Sequence, residues 1–68
     1  MSYPDTPTGV RRLLHDESDL HPEKLAGARI QPDPGVPGTW LVTLTDGTRI
    51  LAYVGAHPLA PGLEEVEA

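Results

Sequence analysis

Asp46-Gly47 lies between two runs rich in β-branched and aromatic residues, Thr39-Trp-Leu-Val-Thr-Leu-Thr45 and Thr48-Arg-Ile-Leu-Ala-Tyr-Val54. An Asp-Gly pair tolerates positive φ at both positions, which the two-residue type I′ turn of a tight hairpin demands. The sequence therefore predicts an antiparallel hairpin over residues 39–54 with Asp46 and Gly47 as its loop. In that register Thr45 faces Thr48, Leu44 faces Arg49 and Trp40 faces Tyr53. Side chains alternate between the faces of a strand, so one face is expected to carry Trp40, Val42, Leu44, Arg49, Leu51 and Tyr53 and to form the core. The other then holds Leu41, Ile50, Ala52 and Val54 among Thr39, Thr43, Thr45 and Thr48, less polar than a solvated face usually is. Something is expected to cover it: a third strand, a second subunit, a client protein, or residues 28–31 and the C-terminal segment closing a small barrel.

The chain outside the hairpin is short and broken by most of its eight Pro and seven Gly. Residues 1–8 hold two Pro and few aliphatic side chains and read as a flexible N-terminal tail. Thr8 is placed to cap a short helix in which Val10, Leu13 and Leu14 share one face, with 16–19 as a polar connection. Pro22 near a helix start and Gly27 just past its end predict one or two helical turns. Residues 28–31 suit an extended segment, since Pro32 steers Gln31 away from the α region. Residues 32–38 form a stiff loop, and 57–68 a Pro-rich turn followed by an acidic C-terminal tail. The expected fold is α+β: a small single domain over residues 9–56, with one or two short N-terminal helices packed on an antiparallel β-meander or hairpin. Its sheet is expected to curl toward an SH3-like or OB-like half barrel.

Size and charge narrow the function. A core in a chain of 68 residues seldom supplies more than about 3–5 kcal/mol, and with no Cys there is neither a disulfide nor a thiolate zinc site to reinforce it. Ten acidic residues against five basic give a net charge of −5, a field that disfavours nucleic acid and anionic lipid. No apolar run approaches the about 18 residues of a membrane span, and the N-terminus lacks the basic-then-apolar pattern of a secretory signal. A soluble, cytoplasmic protein is the expectation, and the missing cysteine fits a reducing compartment.

No catalytic constellation stands out. His15, Asp16, Glu17, Asp19, His21 and Glu23 crowd a short stretch, but their spacing matches no metal motif, neither a His-Glu-x-x-His pair nor a calcium loop. They read as a solvated connection with helix-capping acids. The only serines are Ser2 and Ser18, the latter among acids that oppose ionisation of a hydroxyl, and His57 has no carboxylate nearby in sequence. Gly35-Val-Pro-Gly38 lacks the Lys-Ser or Lys-Thr of a phosphate loop, and its Pro removes amides that would hold a phosphate. The sequence thus implies a non-enzyme with no metal or other cofactor.

The segment Val42-Thr-Leu44-Thr-Asp46-Gly47-Thr-Arg49-Ile50-Leu51-Ala52-Tyr-Val54 resembles the strand-turn-strand of bacterial translation initiation factor one, with its Leu-x-Asn-Gly-x-x-x-Leu-Ala pattern, and Trp40 falls at an aromatic position of that family. The resemblance implies an OB-fold nucleic-acid binder in which Trp40 and Tyr53 stack on bases while Arg29 and Arg49 meet phosphates. After Gly55 the chain has no basic stretch and departs from the family pattern. The leading expectation is a small protein-binding module, a regulator, inhibitor or accessory subunit, whose hairpin joins another protein or a second copy of the chain. Its expected contact residues are Trp40, Leu41, Ile50 and Tyr53, with Arg49 setting register and Arg11 and Arg12 contributing from the helix, because aromatic and Arg side chains carry much of the energy at interfaces.

Overall fold

Helix and strand boundaries follow local chemistry. In the computed structural model, which describes residues 3–66, helix α1 (Pro7–Glu17) and helix α2 (Pro22–Ala26) precede strands β1 (Arg29–Pro32), β2 (Thr39–Thr43), β3 (Arg49–Tyr53) and β4 (Gly62–Val66). Thr6, not Thr8, caps α1: its hydroxyl accepts a hydrogen bond from the Gly9 N–H at 3.1 Å. Pro7 suits the first helical position because it has no N–H to leave unpaired. The helix continues through Asp16 and Glu17, and the Ser18 N–H closes it on the Leu14 carbonyl at 3.1 Å. Val10, Leu13 and Leu14 are almost fully buried on one face, as their spacing predicts. At α2, His21 Nδ1 accepts from the Glu23 N–H at 3.3 Å and Gly27 follows the last helical residue.

The strands form one antiparallel sheet in the order β1-β2-β3-β4. The hairpin is present, but its register differs by one residue from the two-residue-turn expectation. Thr39 pairs with Tyr53, Trp40 with Ala52, Val42 with Ile50 and Thr43 with Arg49. The loop has three residues, Thr45, Asp46 and Gly47, closed by Gly47 N–H to Leu44 C=O at 3.0 Å and Leu44 N–H to Thr48 C=O at 2.8 Å. Only Gly47 takes positive φ, +93°, the signature of a type I turn with a glycine bulge. The Asp46 carboxylate accepts from the Thr48 N–H at 2.9 Å. The extra loop residue inverts the faces of β3. Trp40, Val42, Leu44, Ile50, Ala52 and Val54 now share one buried face, and Arg49 leaves it. The physical reason is direct: the shorter loop would place an unpaired guanidinium in the core, which is costly.

Residues 3–8 and 62–66 are more ordered than the sequence suggests. Tyr3, expected in a tail, is 6% exposed and belongs to the core, and its carbonyl accepts from the Gly55 N–H at 2.9 Å. Residues 62–66, expected as a turn and tail, pair with β3 from Tyr53↔Gly62 to Arg49↔Val66. The tail assignments for Met1, Ser2, Glu67 and Ala68 lie outside the described residues. Both helices sit on the buried side, where α1, Leu20, Leu25, Ile30 and Leu63 close over the sheet. Among the described residues the sheet is a four-stranded meander with β1 and β4 as its edges, whereas an OB fold is a five-stranded Greek-key barrel.

Candidate interaction surface on the uncovered sheet face

The register that buries one face defines the other. Opposite the helices, one cross-strand row reads Arg29, Thr43, Arg49, Val66, and the next reads Gln31, Leu41, Leu51, Glu64. Leu41 and Leu51 are direct partners at the centre of this face; both are half-buried, and neither belongs to the core cluster. Neighbouring strands lie about 4.8 Å apart, so Arg29 and Arg49 flank Thr43 at a separation of about two such steps. Both are exposed. The ion pairs among the described residues are His15–Asp16, His21–Glu23 and Lys24–Asp46, and none involves either arginine.

The far end of the face is more enclosed. Tyr53 is 9% exposed, its ring stacked on His57 with centroids 4.6 Å apart and its hydroxyl donating to Glu64 Oε2 at 2.8 Å. That bond raises the Tyr53 pKa above its ordinary value, with burial adding to the effect. Beside it, Thr39 is 5% exposed and its hydroxyl has no hydrogen-bond partner.

The residues expected at a contact surface therefore separate. Leu41, Arg49 and Tyr53 share the uncovered face. Trp40 and Ile50, each 8% exposed, are in the core on the opposite side, where the Trp40 indole N–H donates to Asp5 Oδ1 at 2.5 Å. Arg11 and Arg12 are exposed on α1, on the helical side of the molecule. Leu51 and Val66 belong to the face and were missed, Leu51 because the two-residue loop placed it in the core and Val66 because its segment reads as a tail. A signal for Leu51 was available: one of the two registers keeps arginine out of the core.

The polar run 15–23 is distributed rather than focused. His15 Nδ1 lies 3.3 Å from Asp16 Oδ1, His21 caps α2, and among the described residues no three His, Asp or Glu side chains converge as metal ligands. No helix among the described residues is long and apolar enough to cross a membrane. Comparison of the chain with protein-family models, with curated proteins and with solved structures returns no match.

Proposed function

We propose that the protein is a small non-catalytic binding module whose uncovered sheet face docks against another protein. The observation that carries this reading is the Leu41–Leu51 pair, central on a sheet face that neither helix covers and flanked by two arginines without ion-pair partners among the described residues. Leucine at the centre offers apolar area, and Arg29 and Arg49 offer forked donors suited to carboxylates. The matching partner surface is apolar in the middle with acidic groups at its margin.

A second copy of the chain fits less well. Its only carboxylate in these two rows, Glu64, already accepts from Tyr53, so a face-to-face pair would set four arginines against two engaged glutamates. The face, four strands wide and three residue pairs long, is on the order of 300 Å² by strand spacing, against about 800 Å² per partner in a stable complex. A partner that also reaches past the sheet can bury the remainder. The nucleic-acid reading has little to draw on, since Trp40 is in the core, Tyr53 lies against His57, and the chain carries a net charge of −5.

The test is affinity capture with the wild type and with the double variant Leu41→Thr/Leu51→Thr, which removes the apolar side chains while placing β-branched residues, good strand formers, on the strands. Captured proteins are then titrated directly. We expect a partner whose affinity falls at least tenfold in the double variant and in Arg49→Glu but not in Arg11→Glu. Equal affinity for all folded variants would sink the proposal.

A further inference from the structure

A second surface, independent of the uncovered face, lies at the free edge of β4. Beneath that edge, on the helical side, the C-terminal end of α1 leaves an open groove of about 260 Å³. Leu20, Ile50 and Leu63 give it apolar walls, and Glu17 and Glu65 stand at its margin. Neither glutamate takes part in an ion pair among the described residues. Glu65 is directly opposite Ile50 in the sheet, so it belongs to the groove side, whereas Glu64 belongs to the other face and is held by Tyr53.

The two edges of the sheet differ. β1 has four residues and ends in Pro32, which has no N–H to offer an incoming strand. β4 has five residues, none of them Pro, and among the described residues pairs on one side only. Exposed edges need protection against unwanted pairing, and here acidic side chains supply it. Such protection is selective: it repels another acidic edge, including a second β4, and favours a basic one. The net charge of −5 adds a long-range attraction of the same sign preference.

We propose that the free edge of β4 and the groove beneath it form a docking site for an extended, basic segment of another protein, which adds to the sheet as a fifth strand. Main-chain hydrogen bonds to β4 supply affinity, and alternate side chains of the added strand face the groove. The new strand lies about 4.8 Å beyond β4. At the level of Glu65, a Lys or Arg side chain lays its aliphatic stem over Leu20, Ile50 and Leu63 and brings its charge to Glu17 and Glu65.

The probe is a capped peptide of alternating Lys and Val, with a Glu-Val counterpart and a Lys-Val version N-methylated at alternate amides as controls. Amide chemical shifts and hydrogen exchange of the full chain report the site. The Lys-Val peptide is expected to shift and protect residues 62–66, to bind more weakly in high salt, and to lose about two- to fivefold in affinity with Glu17→Gln or Glu65→Gln, the range of exposed ion pairs. Both N-methylation and the Glu-Val sequence should abolish binding. Leu41→Thr/Leu51→Thr should leave it unchanged, which separates this site from the uncovered face. Absence of any shift at millimolar peptide, equal binding of the acidic peptide, or shifts centred on Leu41 and Leu51 would each overturn the proposal.

Discussion

Every aromatic side chain of this protein gives its polar hydrogen to a carboxylate: Tyr3 to Asp16 at 2.9 Å, Trp40 to Asp5 at 2.5 Å and Tyr53 to Glu64 at 2.8 Å. Buried Tyr and Trp need such partners, so part of the acidic excess is structural. The bond from Tyr3, reinforced by His15, holds Asp16 below the ordinary 3.8, and the same bond raises Tyr3 above 10.0. Asp46 is also lowered, by the Thr48 N–H. A carboxylate with a lowered pKa contributes stability that is present above 3.8 and lost as pH falls through its folded value. A tyrosine with a raised pKa contributes stability that is present below 10.0 and lost as pH rises through its folded value. Denaturant midpoints should therefore be flat from about pH 5 to 9 and fall on both sides, and absorbance at the phenolate band should show both tyrosines ionising above 10.0. Ionisation of the native protein at the ordinary value would contradict both hydrogen bonds. Thr39 makes the opposite case, a buried hydroxyl without a partner. Thr39→Val keeps the shape and removes the orphan, and should stabilise the fold by about 1 kcal/mol in a denaturant titration. A loss of stability instead would mean that the hydroxyl is satisfied.

The β2–β3 hairpin shows how far an element is legible in sequence. Its existence follows from Asp46-Gly47 and the flanking β-rich runs, but the same dipeptide serves a two-residue loop or a three-residue loop with a glycine bulge. These differ by one residue, and that difference decides whether Arg49 or Ile50 is in the core. Local turn chemistry left the choice open; the burial of six apolar side chains on one face settles it. α2 was legible because Pro22 and Gly27 act locally. β4 was not, because Gly62-Leu-Glu-Glu-Val66 has little strand character of its own and is ordered by pairing with β3. The same division between local and tertiary causes separates two glycines. At Gly47, φ is +93° and a Cβ would meet nothing within 4 Å, so Gly47→Ala costs only the backbone strain, about 1–2 kcal/mol. At Gly38, φ is +84° and a Cβ would come within 2.7 Å of the Val54 carbonyl oxygen and 3.0 Å of His57 Cβ. The Gly38 carbonyl also holds the Val54 N–H at 2.8 Å, one step past the end of β3. Because a core this small rarely supplies more than about 3–5 kcal/mol, Gly47→Ala should melt cooperatively at lower temperature, while Gly38→Ala should lose most of its near-ultraviolet circular dichroism at room temperature. Equal melting of the two variants would show that the Gly38 approach is not tight.

At the scale of the whole molecule, one sheet carries helices on one side and leaves Leu41, Leu51 and Val66 half-buried on the other. The doubt raised by a short chain without disulfides is answered inside the fold: Tyr3 and β4, outside the expected domain, add a core aromatic and a fourth strand. What stays open is the second face, and its composition bears on self-association. Chains with net charge −5 repel one another, and face-to-face pairing would add Arg29 and Arg49 of both copies without a free carboxylate among the described residues of the two rows to meet them. Edge-to-edge antiparallel pairing centred on β4 would set one of Glu64 and Glu65 opposite its own copy, or the two opposite each other, and like charges directly opposite destabilise a sheet. Light scattering coupled to size exclusion should therefore return 7.3 kDa from micromolar to millimolar protein. High salt is the demanding condition, because it screens these repulsions beyond about 3 Å at 1 M and leaves the Leu41–Leu51 pair free to associate if its area suffices. A mass that stays monomeric there rules out self-association as the cover for this face and agrees with the proposed docking by another protein. A dimer that forms in salt and disappears in Leu41→Thr/Leu51→Thr would instead assign the face to a second copy.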